Sequence, residues 1–87
     1  MSRQRSMETI LASEFVSIGE LVRLTESRYS TLKFYTEEGM LSFEQAEENL
    51  TRKFNRQTTV ARILLIKELK SNGLSIPQIK ETLEMDK

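Results

Sequence analysis

Four polar side chains between residues 27 and 38 could make hydrogen bonds to an anionic partner. Arg28 and Lys33 supply cations, and Ser30 and Thr31 supply hydroxyl groups. These groups donate hydrogen bonds to phosphate oxygens and to the acceptor edges of nucleic-acid bases. The alternative is that they are ordinary solvated groups on a helix surface. The elements that surround them therefore matter.

Two short amphipathic helices separated by the polar turn 25–27 are predicted to position these side chains. Ser17 and Glu20 have the spacing of a capping box, so the first helix begins at Ser17. Its apolar face comprises Ile18, Leu21, Val22 and Leu24. The second helix begins near Ser27 or Arg28 and is expected to bury Leu32 and one or both of Phe34 and Tyr35, leaving the four polar residues outward. Gly39 ends it in a left-handed conformation. This is the layout of a DNA-binding helix-turn-helix.

Composition excludes several other classes of function. The chain has 87 residues, 38% of them hydrophobic, and it contains no cysteine and no histidine. It therefore lacks a thiol nucleophile, an imidazole base and the usual zinc ligands. We expect one small domain without enzymatic activity, metal or cofactor. The longest strongly apolar run, 63–66, is too short to span a bilayer and the N-terminus lacks an export signal, so we expect a cytoplasmic protein without membrane contact.

Net charge is the observation that fits DNA binding least well. Thirteen basic and 13 acidic side chains cancel, whereas nucleic-acid-binding domains are usually basic. What a duplex senses is the local face, however, and several cations could gather on one side of the fold. These are Arg23, Arg28, Lys33, Arg52, Lys53, Arg56 and Arg62.

The rest of the chain predicts a mostly helical winged helix-turn-helix with about four helices and a small two-stranded β-hairpin wing. Residues 1–14 form an N-terminal extension, disordered over 1–6 and with a short helix at 7–13; residues 15–87 form the domain. The apolar–polar alternation around a polar tip at 45–49 predicts the hairpin, with an irregular loop as the alternative. A core helix begins between Asn55 and Thr58 and ends at Asn72-Gly73. It buries Val60, Ile63, Leu64, Leu69 and either Ile66 or the aliphatic stem of Lys67. A last helix has a Ser75–Gln78 capping box and buries Ile76, Ile79 and Leu83.

These blocks resemble the N-terminal winged helix-turn-helix domain of the MerR family of transcription regulators, without its dimerisation helix and effector domain. The shared blocks are Ser17-Ile-Gly-Glu-Leu, Thr31-Leu-Lys-Phe-Tyr35, Glu38-Gly-Met-Leu41, Arg52-Lys-Phe54 and 66–80, in the family's order. The resemblance implies a recognition helix over about 27–38 in the major groove of double-stranded DNA and a wing over about 41–54 on the backbone. The DNA-binding residues it implies are Ser17, Arg28, Ser30, Thr31, Lys33, Tyr35, Arg52 and Lys53.

The chain departs from the family pattern in ways that affect function. Glu26 stands where the family usually has glycine, and Ser30 and Lys33 stand where arginine is common, which weakens bidentate recognition of guanine. Glu44, Glu47 and Glu48 make the wing acidic. Because the chain stops at Lys87, no small-molecule effector is expected. The family's coiled-coil dimerisation is also missing, unless the chain is a fragment or the N-terminal segment substitutes for it, and we expect several copies to associate on DNA.

Two other functions fit the same fold. One is an excisionase-like, plasmid or phage architectural factor that shapes DNA for recombination, partition or packaging. The other is an adaptor whose winged domain binds a protein, for which the neutral charge and the acidic wing are the best support.

Overall fold

Five helices and a two-stranded sheet make up the computed structural model, which describes residues 6–45 and 52–85. The elements are α1 (Met7–Ala12), β1 (Phe15–Val16), α2 (Ile18–Thr25), α3 (Tyr29–Glu37), β2 (Phe54–Asn55), α4 (Arg56–Ser71) and α5 (Ile76–Met85). The mostly helical fold class is confirmed, and α1 adds the short N-terminal helix to the four main ones. The predicted disorder at 1–6 and the predicted hairpin tip fall largely outside the described residues.

The sheet connects the start of the domain to the segment that precedes α4. β1 and β2 pair antiparallel, with Phe15 opposite Asn55 and Val16 opposite Phe54. Next to β2, Glu44 and Lys53 exchange two backbone hydrogen bonds, of 2.7 and 2.8 Å, in an isolated antiparallel bridge. The base of the predicted hairpin is therefore present as this bridge. The pairing of β2 with β1 is an additional feature that the sequence pattern does not predict.

One hydrophobic core lies between the helix-turn-helix, α4, α5 and the sheet. Its fully buried side chains include Leu21, Leu32, Phe54, Ile63, Ile66 and Ile79. The prediction that Leu64 is buried is wrong, since 52% of its surface is exposed. Successive residues of a helix are about 100° apart around the axis, so a stripe that buries Thr59, Ile63 and Ile66 turns Leu64 away. Leu64 follows Ile63 in an apolar run in which helical spacing, and not hydrophobicity, decides which residue is inside.

Helix ends follow the predicted capping chemistry. The Glu20 amide donates to the Ser17 hydroxyl (3.2 Å) and the Ser17 amide donates to the Glu20 carboxylate (2.9 Å), which confirms the capping box of α2. The same exchange joins Ser75 and Gln78 at the start of α5. The Asn55 side chain accepts a hydrogen bond from the Thr58 amide at the start of α4. Each cap satisfies amides that have no partner within the helix.

The N-terminal extension is docked on the domain by a buried apolar side chain and by two hydrogen bonds. Ile10 of α1 is fully buried. Arg56, the first residue of α4, donates from its side chain to the Ser13 carbonyl and from its amide to the Glu14 carbonyl, each at 2.9 Å. These contacts fix the segment between α1 and β1 against the start of α4.

The turn between α2 and α3 contains a strained residue. Glu26 adopts a left-handed conformation (φ 52°, ψ 40°), which L-residues other than asparagine and aspartate rarely adopt. The turn is held in place around it: the Thr25 hydroxyl donates to the Leu21 carbonyl at 2.8 Å, and the Lys67 ammonium of α4 donates to the Thr25 carbonyl. Contacts from both sides therefore maintain a backbone conformation that its own residue disfavours.

Replacing Glu26 by glycine should stabilise the domain by about 1 kcal/mol, because glycine adopts left-handed dihedrals without steric cost. Chemical denaturation should show a higher midpoint with an unchanged slope. Glu81→Gly is the matched control, since Glu81 is exposed in the middle of α5, where glycine should destabilise by about 1 kcal/mol. Equal destabilisation by both substitutions would contradict the account of the turn.

Candidate nucleic-acid interface

The exposed face of α3 is the surface on which the predicted polar residues meet. Five exposed residues lie along one side of α3 at the i, i+3 and i, i+4 spacing of a helix, and we call this set the α3 stripe. Its members are Tyr29, Ser30, Lys33, Phe34 and Glu37. Tyr29 keeps 55% of its surface in solvent and Phe34 keeps 42%. One ammonium, two hydroxyls and one apolar ring thus share this stripe with a single carboxylate.

The opposite face of α3 is packed into the core. Leu32 is fully buried, Tyr35 is 3% exposed and Thr36 is 5% exposed, with its hydroxyl donating to the Leu32 carbonyl at 2.8 Å. A helix buried on one side offers a rigid surface on the other. The predicted DNA-binding residue Tyr35 therefore lies in the core. Of the two aromatic residues of which one or both were expected to be buried, Tyr35 is buried and Phe34 is exposed.

Tyr29 and Phe34 are interface candidates that the sequence analysis does not identify. Phe34 is adjacent to Tyr35, and the two rings lie 6.0 Å apart in a tilted arrangement. Once Leu32 and Tyr35 are assigned to the core, positions 30, 33 and 34 must lie outside, because a helix buries a single stripe. Tyr29 is three residues before Leu32, so its 55% exposure is a result of packing at the first turn of α3. The helical period is compatible with an exposed Phe34 once Tyr35 is buried, but the aromatic character of Phe34 suggested burial.

The start of α3 favours negative charge. Arg28 is the N-terminal cap residue; it is exposed and its side chain makes no capping hydrogen bond. The first amides of a helix and the positive end of its dipole attract anions. The cationic Arg28 therefore adds to a field that already favours a phosphate at this end of α3.

Ser17 and Thr31 lie partly inside the fold. Ser17 is half-buried and uses both its amide and its hydroxyl oxygen in the capping box of α2. Its hydroxyl proton can still be donated to an external acceptor. Thr31 is half-buried beside the exposed stripe of α3. Thr31 is thus at the edge of the exposed face of α3, whereas Ser17 is at the start of α2.

Arg52 and Lys53 are exposed at the base of the wing. The guanidinium carbon of Arg52 lies 4.6 Å from the centre of the Phe43 ring. The Phe43 ring is in turn 6.0 Å from the ring of the buried Phe54. Lys53 is the bridge partner of Glu44, so a carboxylate lies opposite it. The two predicted wing cations therefore have different surroundings.

Not all of the predicted cations are free to bind DNA. The Arg56 side chain is engaged by the Ser13 carbonyl. Arg62 lines a cleft of 220 Å³ together with Lys80, Glu38 and Glu84. Within that cleft Lys80 and Glu38 form an ion pair of 3.3 Å, which leaves local charge nearly balanced. Among the predicted cations, the exposed ones are Arg28, Lys33, Arg52 and Lys53.

Among residues 6–45 and 52–85, no three acidic side chains come together in a way that could hold a metal ion. In the same part of the chain, no helix has the length and apolar character needed to cross a membrane.

The division of α3 into two faces predicts opposite effects of neighbouring substitutions. Tyr35→Ala should destabilise the domain by about 3–5 kcal/mol or unfold it, because a buried ring is lost. Phe34→Ala should cost less than about 1 kcal/mol, since its ring is largely in solvent. Thermal unfolding followed by circular dichroism compares the two. Similar losses for both variants would contradict the assignment of Phe34 to the outer face.

Comparison with known proteins agrees with this geometry. The family model described as "MerR HTH family regulatory protein" matches residues 16–86, a span that includes the helix-turn-helix, the wing and α5. No solved structure matches the chain. The match begins at β1, so α1 lies outside it. The chain therefore belongs to the MerR helix-turn-helix family of regulatory proteins, and residues 16–86 form a DNA-binding domain of that family.

Proposed function

We propose that the protein regulates transcription by inserting α3 into the major groove of double-stranded DNA while the wing contacts the neighbouring backbone. The observation that supports this most directly is the exposed stripe of α3. Its ammonium and hydroxyl groups lie on a helix whose opposite face is buried. An α-helix fits the major groove of B-DNA, where its side chains reach base edges.

Each residue of the proposed interface has a role that follows from its chemistry. Lys33, near the middle of α3, donates to phosphates or to purine acceptors, while Arg28 at the start of the helix binds a phosphate. The Ser30 and Thr31 hydroxyls supply short-range hydrogen bonds. The apolar Phe34 ring suits the methyl group of thymine. Ser17, Arg52 and Lys53 contact the backbone on either side.

Tyr35 is left out of the proposed interface because only 3% of its surface is exposed. We assign it instead to holding α3 on the core. The hydroxyl of Tyr29, which is 55% exposed at the first turn of α3, is the phenolic donor in a position to reach DNA. This changes which tyrosine is expected to affect affinity.

The proposal also includes more than one copy of the protein on a specific site. A single small module buries roughly 600–1,000 Å² on DNA, at the low end for specific recognition. Sites bound by helix-turn-helix proteins commonly repeat at intervals of about one helical turn, which lets several modules act together. Self-association on DNA would therefore supply specificity that one α3 lacks.

The molecular mass of the protein–DNA complex gives the number of chains bound per duplex. On a duplex recovered by selection from random sequences, light scattering after gel filtration should give two or more chains per duplex at saturation. The same measurement on a mixed-sequence duplex is the control, because it shows how many chains bind non-specifically when the selected site is absent. Strict one-to-one binding on the selected duplex would refute occupancy by several copies.

Lys33→Ala should weaken binding to a mixed-sequence duplex of roughly 30 base pairs at about 50 mM salt. Loss of one phosphate contact should also reduce the slope of log affinity against log salt by about 1. Lys70→Ala is the matched control, because it removes the same charge from an exposed position near the end of α4. Fluorescence anisotropy gives both affinities and slopes.

The control should bind like the unmodified protein. Equal losses in the two variants would indicate a general charge effect and would contradict a specific role for Lys33. Absence of any binding up to roughly 100 μM, the weak end of ordinary non-specific affinity, would overturn DNA binding and favour the protein adaptor.

A further inference from the structure

Phe43 makes the closest described contact to the wing arginine. The Arg52 guanidinium carbon is 4.6 Å from the centre of the Phe43 ring, which is the geometry of a cation–π interaction. Phe43 is 38% exposed and thus only partly covered by the fold. The ring is neither a full core residue nor an isolated surface group.

Backbone register explains why these two side chains meet. The bridge between Glu44 and Lys53 sets Phe43 opposite Phe54 and sets Arg52 diagonally across from Phe43. Diagonal neighbours on one face of an antiparallel pair are within reach of aromatic and long side chains. Because side chains alternate between faces, Lys53 lies on the other side of the wing. Arg52 is therefore the wing cation that has an aromatic support.

A chain of ring contacts connects Arg52 to the core. Phe54 is fully buried, and its ring lies 6.0 Å from that of Phe43 in a tilted arrangement. The Phe43 ring then holds the guanidinium on its exposed side. The position of the Arg52 head group is thus tied to the core through two rings, although Arg52 itself is exposed.

We propose that Phe43 is a positioning residue for DNA binding, which presents the Arg52 guanidinium to a backbone phosphate. A guanidinium that lies flat over a ring keeps its N–H edges available for hydrogen bonds in its own plane. Contact with the ring also restricts a long side chain that would otherwise lose conformational freedom on binding. This inference rests on the proposed function, since it requires the wing to lie on the DNA backbone.

A purely structural role of Phe43 predicts a different dependence of DNA affinity on Arg52. If the ring served only to pack against Phe54, its removal would affect DNA affinity through the shape of the wing, whether or not Arg52 were present. If it acts through Arg52, its effect must vanish when Arg52 is absent. A double-mutant cycle separates the two, because it measures the coupling and not the sum.

The experiment compares Phe43→Leu, Arg52→Ala, the double variant and the unmodified protein in anisotropy titrations with a mixed-sequence duplex at about 50 mM salt. Leucine keeps an apolar side chain against Phe54 but removes the π face. Phe43→Leu should weaken binding about two- to fivefold, the range expected for an exposed cation–π contact. In the Arg52→Ala background it should have no further effect. Phe43→Tyr, which keeps the ring, should bind like the unmodified protein.

Circular dichroism at the titration temperature verifies that each variant is folded, and Phe43→Met replaces Phe43→Leu in the cycle should the latter be unfolded. An equal loss with and without Arg52 would overturn the positioning role in favour of a structural one. Unchanged affinity of the folded Phe43→Leu variant would overturn it outright. Failure of the unmodified protein to bind any duplex would overturn the proposed function and this inference together. If the unmodified protein binds but the affinity losses of Phe43→Leu and Arg52→Ala add up in the double variant, the inference alone is overturned.

Discussion

Burial of the Phe54 ring is the constraint on which the arrangement of wing and helices depends. Phe54 is fully buried, lies in β2 opposite Val16 of β1 and immediately precedes the cap of α4. Its burial therefore fixes the start of the core helix and the base of the wing at once. A short sheet of two residues per strand would be marginal alone, and the hydrophobic contacts of Phe54 and Val16 supply what its few hydrogen bonds cannot.

The helix-turn-helix depends on that core through its buried stripes. Leu21 of α2 and Leu32 and Tyr35 of α3 are buried, and the Lys67 ammonium of α4 donates to the Thr25 carbonyl at the turn. The strain at Glu26 is tolerated because these contacts define the turn from both sides. A rigid α3 with one face in solvent is the result, and a rigid element lowers the ordering cost of binding.

Much of the fold could be predicted because its determinants are local. The Ser17–Glu20 and Ser75–Gln78 capping boxes and the left-handed glycines Gly39 and Gly73 are set by neighbours within a few residues. Long-range features could not be predicted in the same way. The exposure of Leu64, the choice of Tyr35 over Phe34 for the core and the contact of Phe43 with Arg52 depend on which faces meet after the chain folds. The α3 segment of the candidate site was predicted, whereas the exposure of Tyr29 depends on packing and that of Phe34 follows from helical spacing only after Tyr35 is known to be buried.

We propose that the outer face of α3 and the base of the wing form one DNA-binding surface. Titration of ¹⁵N-labelled protein with a short duplex, followed through the backbone amide shifts by NMR, tests this. We expect the shift changes to concentrate on residues 28–37, 43–45 and 52–54, while α5 stays nearly unchanged. Changes centred on α5 or on the exposed side of α1, with α3 unaffected, would contradict this proposal.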